Sequence, residues 1–376
     1  MKKKKVLIFH PHLAPYRIDQ FNSLNELYDL EVVFLFDNLL YYKMDQSKLL
    51  SQLLFKVSFL LRGPRYNWRV FRFGMLRKIK KMNPDIILGY EYSFTTQYLI
   101  LLKRLGLISQ KIGSAVDDSL DICNHVQSKI RFLARKQSLK HLDFLVVMSD
   151  EVSQFYQNTF NLKDHQLVVS PILQKPERLR NNPGKLENIA QQYSQQYHLK
   201  GKKVLLFVGR FVPEKGLPGF LHAIHSILLE QEDLVFVLVG SGNEIQPLKA
   251  IVEEKQLEGK VIFPGKYEGA ELYAWYLCAS GFVLPSLYEP FGAVVNEALI
   301  FGLKVLCSQH AGATCLINPS NGLIFSPLDK NDTLEKMNLF LGEIDSMGEI
   351  NSMNKPSLML DHQKDFVREW NKLLYD

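Results

Sequence analysis

The sequence predicts an α/β protein of two domains, each built on a mostly parallel sheet. Short runs rich in Val, Ile, Leu and Phe recur along the chain, most of them separated by segments long enough for a helix. That alternation gives parallel strands covered on both faces. With 376 residues, 47% of them hydrophobic, the chain can fill two cores of ordinary size. A polar stretch punctuated by Pro171, Pro176, Pro183 and Gly184, ending in QQYSQQY and nearly free of apolar residues before Val204, marks the connection, placed at 181–200.

In the first domain, 1–180, strands are expected at 6–9, 31–36, 68–73, 85–88, 111–115 and 144–147. Ligands of such sheets bind outside the carboxyl ends of strands, so the loops that follow them are the places to examine. The first loop, HPHLAPYR at 10–17, enters a helix with Ile18, Phe21, Leu24 and Leu27 on its apolar face. His10 and His12 are polar candidates for ligand contacts there, against a purely structural or solvated role. The loop after 111–115 carries Asp117, Asp118 and Asp121. Asp117 and Asp118 are candidates for ligand contact or, alternatively, helix caps, and Asp121 is expected as an N-cap.

Charge is unevenly shared. Residues 1–180 hold 28 Lys and Arg against 16 Asp and Glu, whereas the remainder holds 17 against 23. Residues 46–84 include ten basic residues and no acidic one before Pro84, interleaved with Leu49, Leu50, Leu53, Leu54, Val57, Leu60 and Leu61 at helical intervals and then Tyr66, Trp68, Phe71 and Phe73. A basic amphipathic segment of this kind is expected to touch an anionic membrane surface, with an ordinary helix bearing a solvated basic face as the rival reading. No nucleic-acid-reading motif accompanies the positive charge, and nucleic acid is not expected as a partner. No apolar run approaches the ~18 residues of a membrane span, and Lys2 to Lys5 precede too short an apolar run for a signal peptide. Cys123, Cys278, Cys307 and Cys315 have no metal-ligand or CxxC spacing, which fits a reducing cytoplasm.

In the second domain, 201–355, GKKVLLFVGRFVPEKGLPGFLHAI gives a buried strand at 204–208, a turn at Gly209 and Arg210, and a helix after Gly216 carrying Leu217, Phe220, Leu221 and Ile224. Arg210 and Lys215 share that strand-to-helix loop, where two cations can converge on a diphosphate. The strand at 234–239 ends in GSGNE, containing Gly240 and Gly242; Ile245 stands where a dinucleotide fingerprint needs its third glycine, so nicotinamide binding is disfavoured. Further strands are expected at 261–263, 281–284 and 304–307, and a last helix at 361–375 has Phe366, Trp370, Leu373 and Leu374 on one side.

The segment PSLYEPFGAVVNEA, 285–298, links the strand 281–284 to a helix expected at 291–301. Helix N-termini attract anions through unpaired N–H groups and the helix dipole. Glu289 lies in the loop and Glu297 about two turns into the helix, roughly 10 Å apart at about 1.5 Å of rise per residue. Carboxylates on either side of an anion site suit a ligand with hydroxyls at both ends and phosphate between them, the outline of a nucleoside diphosphate sugar.

These residues resemble the E-x7-E signature of the retaining glycosyltransferases of family 4, and Gly209-Arg210 with Lys215-Gly216 resembles that family's Gly-Arg-x-x-x-x-Lys-Gly pattern. Pro15-Tyr16-Arg17 at the first helix is similar to a subset that builds bacterial surface polysaccharides. The resemblance implies the GT-B fold: two Rossmann-like domains facing a central cleft, the first for the acceptor, the second for the donor, with the helix at 361–376 crossing back onto the first. It further implies retention of anomeric configuration and no obligatory metal or cofactor, the co-substrate being a UDP- or GDP-linked sugar.

Carried residue by residue, Arg210 and Lys215 would neutralise the diphosphate, Glu289 would hold sugar hydroxyls and Glu297 the ribose. Gly209, Gly240, Gly242, Lys266, Tyr267, Pro290, Phe291, Gly292, Ala293 and Val294 would complete the donor site. His12, Tyr16 and Arg17 lie on the acceptor side, and Asp117 or Asp118 would receive the acceptor's proton. Two departures stand out: the loop at 10–17 lacks the Gly-Gly of many relatives, and Cys315 replaces a Glu. A hydroxyl of a glycan or lipid-linked molecule is the expected acceptor and the cytoplasm, with peripheral membrane contact, the expected location. An epimerase or phosphorylase on the same fold, or a non-catalytic binding protein, remain as alternatives.

Overall fold

The computed structural model describes residues 3–38, 43–66, 69–124, 128–350, 355–360 and 362–375. The chain divides into two units, Met1–Gln174 with Asp361–Asp376, and Lys175–Leu360. The first holds strands β1 (Lys5–His10), β2 (Asp29–Phe34), β3 (Lys56–Phe59), β4 (Arg65–Tyr66), β5 (Arg69–Val70), β6 (Ile86–Tyr90), β7 (Lys111–Ala115), β8 (Phe144–Val147) and β9 (Leu167–Val169). Seven of these form one sheet in the order β3-β2-β1-β6-β7-β8-β9, with every pairing parallel. Apolar residues alternate between two cores, one containing Leu7, Phe9, Ile87 and Ile112 and the other Val6, Ile8, Ile86 and Leu88. Helices cover both faces, so strands with so little polar side chain are stable only there.

The second unit holds β10 (Lys203–Arg210), β11 (Leu234–Ser241), β12 (Val261–Gly265), β13 (Gly281–Leu284), β14 (Lys304–Ser308) and β15 (Gly322–Phe325), an all-parallel sheet in the order β12-β11-β10-β13-β14-β15. Each unit is Rossmann-like, and the chain has the GT-B fold class. In both sheets the connection reverses beside the first strand of the unit, between β1 and β6 and between β10 and β13. Such switch points leave a crevice at the carboxyl ends of the two strands.

Several expectations are corrected. The stretch 181–200 is not a bare linker but contains the helix Pro183–Gln196 of the second unit. Asn182 caps it, Pro183 takes the first turn, and Leu186 and Ala190 are buried. Its glutamines occupy the solvent face, which made the segment look unstructured. The helical spacing of the leucines at 49–61 yields only a short helix, Gln46–Leu50, followed by the edge strand β3. The strand expected at 68–73 is reduced to β5 in a two-residue-paired hairpin with β4, and Trp68 lies outside the described residues. Asp121 is inside the first turn of the helix Leu120–Asn124, where Ser119 Oγ instead accepts from the Ile122 amide at 3.2 Å. The helix Gln363–Tyr375 belongs to the first unit: Tyr28 Oη donates to the Trp370 carbonyl at 2.5 Å, and Glu369 accepts from the Val169 amide at 3.0 Å.

Candidate functional site

In the second unit the residues singled out from the sequence gather at the carboxyl ends of β10, β11 and β13. β10 is buried through Val208, and its pairing sets Gly209 beside Gly240 and Arg210 beside Ser241. The loop after β10 turns back through Pro213–Lys215, and Gly216, at φ 66°, starts the helix Leu217–Glu230. A Cβ at Gly216 would stand 2.5 Å from the Pro285 carbonyl, so only glycine lets this turn approach the loop after β13 so closely. That approach lets Lys215 Nζ form an ion pair with Glu289, both side chains largely buried. The pair bridges the two strands flanking the switch point. Arg210 is exposed and, among the described residues, makes no side-chain hydrogen bond or ion pair.

The loop 285–293 is clamped along its length. Glu289 bridges to Ala311, the Gly312 amide donates to the Glu289 carbonyl at 3.1 Å, and the Ala313 amide to that of Phe291 at 2.7 Å. Gly292 has φ 97°, and the helix begins at Val294 and ends at Ile300, shorter at its start than the expected 291–301. Glu297 is buried and accepts a hydrogen bond at 2.7 Å from Tyr276 Oη, whose pKa burial and that carboxylate push well up. Phe291 turns into the core, while Pro290, Ala293 and Val294 are half-buried.

Gly240 and Gly242 serve the backbone directly. A Cβ at Gly240 would lie 1.8 Å from the Gly209 carbonyl and one at Gly242 2.2 Å from that of Phe211, so these glycines allow the β10 and β11 loops to touch. Lys266 is exposed and pairs with Glu268 at 3.0 Å. Tyr267 lies against Tyr193 and Trp275, whose rings stack 4.5 Å apart. Tyr193 comes from the helix Pro183–Gln196, and sequence reasoning missed it by treating that segment as a connection.

In the first unit Arg17, buried, pairs with Asp117 at 2.5 Å and donates to Gln20 at 2.6 Å. Tyr90 Oη donates to the same Asp117 oxygen at 2.7 Å. Burial alone would raise the Asp117 pKa, but Arg17 and these hydrogen bonds bring it below the usual carboxylate value. Asp118 is pushed up by burial, offset in part by Arg135 at 3.0 Å, and also accepts from Tyr156 at 3.2 Å. Neither aspartate is a simple helix cap. Burial holds His10 neutral, with a pKa of about 3, and its Nδ1 meets the His12 carbonyl at 2.9 Å. His12 is half-buried, its pKa lowered by burial and then by Arg17. The Arg17 guanidinium lies 5.6 Å from the Tyr16 ring centre.

Glu91, which the sequence reading passed over, belongs to this cluster. It follows β6, has a left-handed backbone at φ 53°, and its Oε1 accepts from the Asp117 amide at 3.1 Å. Burial first, then Asp118 and Asp117, raise its pKa to about 8. The rule that directs attention to loops after strands would have found it, since it follows β6 as Asp117 follows β7.

Two Rossmann-like units of this kind define a class of fold, GT-B. Comparison with known proteins bears on the second unit: residues 190–349 match the family described as Glycosyl transferases group 1. An uncharacterised glycosyltransferase of Bacillus subtilis, YqgM, is 24% identical over 245 residues, covering 64% of this chain and 63% of its own. The O-antigen chain mannosyltransferase B of Escherichia coli is 25% identical over 210 residues, 54% of each chain. The chain thus spans less than two thirds of the length of these curated relatives. Among solved structures, Anabaena HepE in complex with UDP superposes with a TM-score of 0.71 over 99% of both chains at 14% identity, a likeness of fold.

Proposed function

We propose that the protein transfers a sugar from a nucleoside diphosphate donor to a hydroxyl of a glycan or lipid-linked acceptor, with retention of configuration. The observation that carries this reading is the Lys215–Glu289 ion pair across the β10/β13 switch point, with Arg210 exposed at the end of β10. Departure of the nucleoside diphosphate builds negative charge on phosphate as the sugar becomes oxocarbenium-like, so fixed cations are the main requirement. Arg210 and Lys215 supply them. The Glu289 carboxylate, held in place by Lys215, orients sugar hydroxyls; Glu297, fixed by Tyr276, is the ribose contact; and Tyr267 with its aromatic neighbours lies on the base side. Arg17, Asp117 and Asp118 form the acceptor-side set.

The UDP complex of HepE supports a UDP-linked sugar, with a GDP-linked one as the other candidate, and the O-antigen mannosyltransferase supports surface polysaccharide synthesis as the setting. No metal or cofactor has a part in this scheme, and the cytoplasm is its location. Thermal denaturation against a panel of UDP- and GDP-sugars tests the reading. A specific donor should raise Tm by mass action in the wild type and much less in Arg210→Ala. Absence of any shift across the panel, or conversion of the donor without an acceptor, would overturn it.

A further inference from the structure

The helix Lys129–Leu139 buries little of itself: Ser138 and Leu139 are its buried residues, while Ile130 is 80% and Leu133 62% exposed. Helices of folded domains ordinarily turn such side chains inward. The inward face is already committed, since Phe132 stacks on Phe160 with ring centres 5.0 Å apart and Arg135 pairs with Asp118 at 3.0 Å. On the outside Lys129, Arg131, Lys136 and the following Lys140 are exposed, and the sequence has no Asp or Glu between Asp121 and Asp143.

The helix beside it has the same character. Gln97 Nε2 donates to Ser138 Oγ at 2.9 Å, joining the two. Within Phe94–Arg104, Phe94 is 53% and Leu101 48% exposed on one stripe with Arg104, no acidic residue occurs, and Leu105 beyond it is 62% exposed.

We propose that the outward surfaces of these two helices form a docking face for an anionic lipid surface. A few exposed aliphatic side chains ringed by Lys and Arg match the interfacial amphipathic helix, whose apolar side chains enter the headgroup boundary while its cations meet anionic lipid. The core of a protein interface is depleted of Lys, so a face with Lys129, Lys136 and Lys140 around its apolar side chains suits lipid better than a protein partner. This face is distinct from the segment 46–84, although Tyr66 and Phe73 of that segment are also exposed, at 75% and 61%. The assignment is independent of the transferase reading, because its test measures lipid binding alone.

The full chain is sedimented with vesicles of equimolar phosphatidylglycerol and phosphatidylcholine, and with phosphatidylcholine alone. Wild type should bind the anionic vesicles, progressively less as salt rises. Ile130→Ser with Leu133→Ser should weaken binding about tenfold or more, as should Lys129→Glu with Arg131→Glu and Lys136→Glu. All these side chains are exposed, and unchanged circular dichroism and Tm would show that folding is intact. Equal binding to neutral vesicles, no binding at all, or variants that bind like wild type would overturn the proposal. So would an oligomer in light scattering that the Ile130→Ser, Leu133→Ser variant converts to a monomer, which would give the face to a second copy of the chain.

Discussion

Lys215 and Glu289 neutralise each other in the free protein, so each has two tasks in the proposed reaction: holding its partner and meeting the donor. Glu289→Gln, Lys215→Ala and Arg210→Ala are each expected to lower turnover about 10²-fold or more, the scale for loss of one oriented charge at a transition state. Steady-state assays with the donor found by thermal shift check this, and near-normal turnover in a folded variant removes that residue from the mechanism. Glu91 yields a prediction with a defined sign. Between the ordinary carboxylate range and about 8, the native state keeps a proton that the unfolded chain has released. Stability therefore falls as pH rises through that window. Urea denaturation from about pH 5 to about pH 8 should show a smaller decline in Glu91→Gln than in wild type. An unchanged slope would mean that other groups produce it.

At the level of elements, the strands and most helices were readable because a buried parallel strand needs a continuous apolar run, and such runs stand out between polar segments. Where that signal failed, the cause was local. The helix Pro183–Gln196 buries Leu186 and Ala190 in a glutamine-rich sequence, and 49–61 has helical spacing but completes a sheet edge in β3. The clamp on the loop 285–293 was equally invisible, since it depends on backbone contact with Gly312. A Cβ there would lie 2.2 Å from the Pro290 carbonyl. Gly312→Ala should therefore cost about 1–3 kcal/mol and loosen Glu289. A lowered Tm together with weaker donor binding is the expected result, and a neutral substitution would show that the clamp is not needed.

For the whole molecule, the last helix is separated in sequence from the unit it completes. Phe366, Trp370 and Leu373 are nearly fully buried, and Trp370 Nε1 also donates to Ser170 Oγ at 3.1 Å. At about 1.5–3 kcal/mol for each large apolar side chain buried, removing them takes away much of a typical domain's stability of about 5–15 kcal/mol. A chain ending at Leu360 should lose or strongly lower the first unit's calorimetric transition and keep that of Lys175–Leu360. Two unchanged transitions would contradict this. The helix itself was legible from its apolar spacing, but its destination was suggested only by resemblance, because periodicity reports that a face is apolar and not what covers it.

The sequence alone determined the parallel α/β architecture and marked the loops after β10 and β13 as the places to examine, since these follow from apolar runs and short-range spacing. Tertiary structure alone decided the pairings: Lys215 with Glu289, Glu297 with Tyr276, Arg17 with Asp117, and Glu91 among the acids. The physical reason is distance along the chain. An ion pair or a shifted pKa depends on which side chains meet and how much water is excluded, and those neighbours lie 21 to 100 positions apart.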